Sequence, residues 1–144
     1  MSIYQIVVNL ENEPGRLFVI SDRLAKAGVN IRLLTVSGEG AHGALRMVVD
    51  DERKARNELM ALDVPARLEP VTAVRFEDRP GGLAALLKPL LHERINVTQV
   101  HAQSDVPPYA LAVLAAADAQ RAEVVLREHG YAPLSSAELW ESRS

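Results

Sequence analysis

The chain has 144 residues, 48% of them hydrophobic and 24% charged, with a formal net charge of -3 and no cysteine. That balance belongs to a folded chain; it gives no basic reason to expect nucleic acid and excludes disulfides and thiolate chemistry. The start lacks a basic segment followed by an apolar core, and no apolar run reaches membrane-spanning length, so the expectation is a cytoplasmic protein without a membrane partner.

In chain order, residues 3–10 read as a strand, with Ile6, Val8 and Leu10 alternating onto one face. Asn12-Glu13-Pro14-Gly15 breaks that run, and a helix follows over 16–27, with Leu17, Ile20, Leu24 and Ala27 on one stripe. Gly28 is placed to close it. A β-branched run over 29–37 predicts the second strand, and a glycine-rich loop over 38–43 joins it to a third over 44–49. Asp50-Asp51 opens a helix reaching about Leu62, and 66–69 reads as a short edge strand.

The second half repeats this order: strand 71–76, helix 81–93, strands 95–103 and 109–115, helix 118–129 and a last strand over 131–134. Pro89 falls inside the third helix, where it removes a hydrogen bond and predicts a kink or a late start. The tail 136–144 carries Leu139 and Trp140, expected to pack over the edge of the second half.

The repeat is also visible in identity. Glu11-Asn12-Glu13-Pro14-Gly15-Arg16-Leu17 returns as Glu77-Asp78-Arg79-Pro80-Gly81-Gly82-Leu83 at an offset of 66 residues, and six of 21 aligned positions match. The expected fold is α+β: two tandem ferredoxin-like βαββαβ domains, 1–69 and 70–144, the latter with a C-terminal tail. Each would be an antiparallel four-stranded sheet with two helices on one face, and the short connection near Pro65 and Pro70 allows the two sheets to run edge to edge as one larger sheet. The other sheet face keeps apolar residues, which predicts a cover, plausibly a partner chain.

Catalytic constellations are poor. His42, His92, His101 and His129 fall in no metal-ligand spacing, so neither metal nor cofactor is expected. His101 with Asp105 is the sole pair worth checking, and packing is the plainer reading of His101. No phosphate-binding glycine fingerprint precedes a helix. The Pro-Gly corners are the better candidates. A helix start presents amides without intrahelical partners, which attract a carboxylate, and Gly15 and Gly81 admit close approach of a ligand. Asn12 and Asp78 would cap the helices or help recognise an ammonium group. The plain alternative is a pair of tight capped turns.

The two fragments, from Glu11 through Ala27-Gly28-Val29-Asn30-Ile31 and from Glu77 through Arg94-Ile95-Asn96-Val97, resemble two ACT domains over nearly the whole chain. The resemblance implies a stand-alone regulatory protein, without catalytic activity, that binds a free amino acid or similar small carboxylate as a homodimer. The ligand loops it implies are Asn12, Glu13, Pro14, Gly15, Arg16 and Leu17 in the first copy, with Asn30 and Ile31 nearby. In the second copy they are Asp78, Arg79, Pro80, Gly81, Gly82 and Leu83, with Asn96 and Val97. An alternative is a ligand-independent interaction module or regulatory subunit of an amino-acid biosynthetic enzyme. The copies differ: Asn12 and Arg16 become Asp78 and Gly82, and Gly28 becomes Arg94, so the two sites are expected to be unequal.

Overall fold

A computed structural model of the chain describes residues 3–11, 13, 15–39 and 42–141. The elements run β1 (Ile3–Glu11), α1 (Arg16–Lys26), β2 (Ile31–Glu39), β3 (His42–Val49), α2 (Glu52–Ala61) and β4 (Ala66–Glu77). They continue with α3 (Gly82–His92), β5 (Val97–Ser104), β6 (Tyr109–Ala116), α4 (Ala119–Glu128) and α5 (Ser136–Glu141). Two compact units emerge, one of Tyr4–Glu69 and one of Ile3 together with the chain from Pro70 onward.

In the first unit β1 pairs antiparallel with β3, Ile6 facing Met47 and Val8 facing Leu45, and β3 pairs antiparallel with β2. This register puts Ile6, Val8, Leu10, Leu45, Met47 and Val49 on one sheet face. There they join Ile20 and Leu24 of α1 and Ala55 and Leu59 of α2 in one buried core. The helical stripe read from the sequence holds for Ile20 and Leu24, whereas Leu17 is 39% exposed. The second unit follows the same plan. Val74 faces Ala112 and Phe76 faces Ala110 across β4 and β6, and Leu86, Leu90, Val125 and Leu126 close the core from the helices.

Three departures from the sequence reading change the architecture. The stretches 66–69 and 71–76 are one strand, β4, because Pro70 has a φ compatible with extended chain and removes only one donor. No strand forms over 131–134: Pro133 supplies no ladder N–H, and the stretch makes one sheet contact, from the Leu134 N–H to the Ala73 carbonyl at 2.7 Å. Consequently the hydrogen-bonded strand order is β2-β3-β1-β4-β6-β5, six strands in place of the eight that two four-stranded sheets would have. The non-helical face also differs from expectation, since Val7 and Val48 in the first unit and Leu111, Val113 and Ala115 in the second are already buried in the single chain.

The tail forms α5. Its start is a reciprocal capping box: the Ser135 N–H donates to Glu138 Oε1 at 3.0 Å, and the Glu138 N–H donates to Ser135 Oγ at 3.1 Å. The backbone bond from Ser135 holds the Glu138 carboxyl below its ordinary pKa, with the Ser135 hydroxyl adding to the effect. Leu139 of α5 is buried and Trp140 half-buried. Helix α3 continues through Pro89 for three further residues, and Pro89 itself is buried.

Candidate functional site

The two Pro-Gly corners are built alike. In the first, the Glu13 N–H donates to the Glu11 carbonyl (2.8 Å), the Arg16 N–H to Glu13 (3.2 Å) and the Val19 N–H to Gly15 (3.0 Å). In the second, Arg79 donates to Glu77 (3.0 Å), Gly82 to Arg79 (2.9 Å) and Ala85 to Gly81 (2.9 Å). Each turn ends on a glycine in the left-handed region, Gly15 at φ 83° and Gly81 at φ 84°, which serves as the N-cap residue. A Cβ there would be strained, so the glycines are required by the turn itself.

Among the described residues no side chain caps either helix, and neither has an acid in its first turn. The contrast with the other long helices is direct. Asp51 accepts from the Lys54 N–H at the start of α2, and Asp118 from the Arg121 N–H at the start of α4. First-turn amides at the corners therefore remain available to an outside acceptor.

The corners differ in what surrounds them. Among the described residues, apart from its chain neighbours, nothing lies within 4 Å of where a Cβ on Gly15 would sit, whereas the Arg79 guanidinium lies 3.9 Å from the corresponding point on Gly81. Arg79 is held there by the Glu77 carboxylate and the Pro80 carbonyl. Asp78 is anchored through its backbone N–H to the Pro108 carbonyl, 3.0 Å away, and does not cap α3. Gly82 has its own reason to be glycine: a Cβ would stand 2.0 Å from the Glu77 carbonyl oxygen. Asn12 and Pro14 lie outside the described residues.

The remaining predicted residues stand elsewhere. The Asn30 N–H donates to Asp50 Oδ1 at 2.9 Å, and its carbonyl accepts from the Asp50 N–H at 3.1 Å. Both follow the C-terminal end of α1, an 11-residue helix and hence about 16 Å long. Asn30 and Ile31 are thus at the opposite end of α1 from Gly15. Asn96, whose carbonyl accepts from the Ala117 N–H at 3.0 Å, and Val97 stand likewise beyond the end of α3. Ile31 and Val97 pack partly against the two cores.

His101 and Asp105 do not pair with each other. His101 Nε2 is 3.2 Å from Gln103 Oε1, while the nearly buried Asp105 carboxylate accepts from Arg75 Nε at 2.9 Å. His129 Nδ1 is 2.9 Å from the Val125 carbonyl, and the side chain of His42 lies outside the description. Among the described residues no group of three His, Cys, Asp or Glu is arranged to hold a metal ion, and no helix is long and apolar enough to cross a membrane.

Comparison with known proteins decides what this pair of corners belongs to. A family model described as an ACT domain pair matches residues 1–136. The chain belongs to the ACT domain pair family. Among solved structures, the protein BT0572 from Bacteroides thetaiotaomicron shares the ACT pair architecture at TM-score 0.91 and 26% identity, over 98% of this chain and 97% of that one. The regulatory subunit of aspartate kinase from Thermus thermophilus, in a ligand-free form, matches at TM-score 0.67 and 16% identity, covering 88% and 91% of the two chains. The corresponding subunit from Thermus flavus gives TM-score 0.63 and 14% identity over 100% and 95%. The two Thermus proteins share the fold. No curated protein matches.

Asn30 and Asn96, expected near the corner glycines, each stand beyond the far end of the helix that the glycine opens. Tyr4, Arg53 and Arg56, not among the residues singled out from the sequence, line a cavity in the first unit. The sequence signal was two arginines three apart on an otherwise charged helix, a pattern that reads as a solvated face.

Proposed function

We propose that this ACT pair is a regulatory protein that binds a free amino acid at the corner around Gly15 and performs no chemistry on it. One observation carries the reading: α1 and α3 open on left-handed glycines without side-chain caps, while α2 and α4 are closed by Asp51 and Asp118. An uncapped helix start offers N–H groups and a positive dipole end to a carboxylate. The ligand loops of the reading are residues 12–17 and 78–83. The corner at Gly15 is the stronger site, because no described residue beyond its chain neighbours crowds the point where a Cβ would sit, while Arg79 stands over Gly81.

Asn30 and Asn96 enter only if two ACT units lie antiparallel, so that the far end of one helix meets the corner of another. A homodimer supplies that arrangement. It is supported by exposed apolar side chains in the first unit: Phe18 is 68% exposed beside the half-exposed Leu17 and Val19 on α1, and Leu34 and Val36 lie exposed on the edge strand β2. Regulation then acts on a separate enzyme of amino-acid metabolism, the partner class suggested by the aspartate kinase subunits of the same fold.

Calorimetric titration with each of the common amino acids tests this. At least one is expected to bind saturably, and Gly15→Val, which places a branched side chain at φ 83°, is expected to weaken it at least tenfold while circular dichroism reports an unchanged fold. Silence from every amino acid, or full affinity in folded Gly15→Val, rejects the site.

A further inference from the structure

We propose that the first unit holds a second ligand site, separate from the corner, which takes a small zwitterion such as a free α-amino acid with an apolar side chain. The proposal stands whether or not the corner binds. The site is a cavity of about 530 Å³ between the start of β1, the first half of α2 and the start of β4, within the size range of small-molecule pockets. Tyr4 and Leu68 give it an apolar wall, and Arg53 and Arg56 stand one turn apart on the same side of α2.

The charges in this cavity are not spent on one another. Arg23, Arg67, Arg75, Arg79, Arg121 and Arg127 each hold a carboxylate. Among the described residues neither Arg53 nor Arg56 has such a partner, although Asp50 and Glu52 line the same cavity. Glu52 is likewise unbonded, and Asp50 uses Oδ1 for the Asn30 N–H, leaving its second oxygen. The helix end is not the attraction, since Asp51 already closes it.

Unpaired charges of both signs around one cavity select a ligand carrying both. Two guanidiniums offer parallel N–H donors to a carboxylate, Glu52 and the second Asp50 oxygen accept from an ammonium group, and Tyr4 and Leu68 receive a hydrocarbon side chain. A simple anion leaves the acids unanswered, and a simple cation leaves the arginines.

The test is amide-resolved NMR titration of the full chain with L-phenylalanine, 3-phenylpropanoate and phenethylamine, the last two lacking the ammonium and carboxylate groups respectively. L-Phenylalanine is expected to shift the amides of Tyr4, Arg53, Arg56 and Asn57 saturably, with each truncated probe at least tenfold weaker. The double variant Arg53→Ala/Arg56→Ala, altered only at exposed positions, is expected to lose these shifts with the remaining spectrum intact. Gly15→Val is expected to keep them, which separates this site from the corner. No saturable shift with L-phenylalanine overturns the proposal, as does equal binding of 3-phenylpropanoate or persistence of the shifts in the double variant.

Discussion

One residue at the end of each of α1 to α4 turns left-handed: Gly28, Asp63, Arg94 and Gly130. The following N–H reaches back to the helix in every case, from Val29 to Leu24, Val64 to Leu59, Ile95 to Leu90 and Tyr131 to Leu126, the six-to-one bond of a Schellman terminus. Arg94 therefore does what Gly28 does, at φ 56° and with a Cβ to accommodate. The substitution of arginine for glycine between the copies leaves the backbone path of the turn intact. Arg94→Gly is expected to stabilise the second unit by about 0.5–1 kcal/mol, relief of left-handed strain exceeding the entropy added to the unfolded chain. A raised urea midpoint with unchanged slope is the readout, and an unchanged or lowered midpoint refutes it.

At the scale of elements, the strand-to-helix corner is set by backbone hydrogen bonds that both copies share, and the residues between those bonds are free to vary only where space allows. Position 16 carries a full arginine, whereas position 82 admits no Cβ because the Glu77 carbonyl and the Phe76 ring approach it. Gly82→Ala is expected to cost about 1–3 kcal/mol net, since displacing the Glu77 backbone outweighs the better helix propensity of alanine. Chemical denaturation of the variant measures it; a neutral result means the corner relaxes freely. The Gly82 difference, legible in the sequence as a departure between the copies, thus has a packing cause. The capping box of Ser135 and Glu138 was equally legible as S-x-x-E but stands before a helix of only six residues, too short for a periodic apolar signal.

For the whole molecule, the exposed apolar run Leu17, Phe18 and Val19 on α1 is the feature that bears on assembly. Phe18→Glu puts a charge on it without touching the buried core. If the homodimer forms through this surface, light scattering coupled to size exclusion is expected to show the wild-type chain as a dimer and the variant as a monomer. A dimeric variant removes this face from the interface, and a monomeric wild type removes the homodimer.

The elements themselves were readable because their causes are local. Alternation in 3–10, the stripe of Ile20 and Leu24, the Pro-Gly break and the internal repeat each lie within a few residues of one another, and they determined the α+β order, both helix pairs and the two corners. What local pattern does not contain is where chain segments distant in sequence meet. Only the tertiary structure joined 66–69 to 71–76 as one strand, since apolar alternation cannot say whether Pro70 ends a strand or rides within it. It likewise assigned Asp105 to Arg75 instead of His101 and held Asn30 against Asp50, a helix length away from Gly15. It also set Arg53 and Arg56 beside a cavity without a carboxylate partner among the described residues. The Arg75–Asp105 and Asn30–Asp50 pairings span 30 and 20 residues; they are settled by register and by competition among partners, and appear only once the sheet has fixed which side chains stand together.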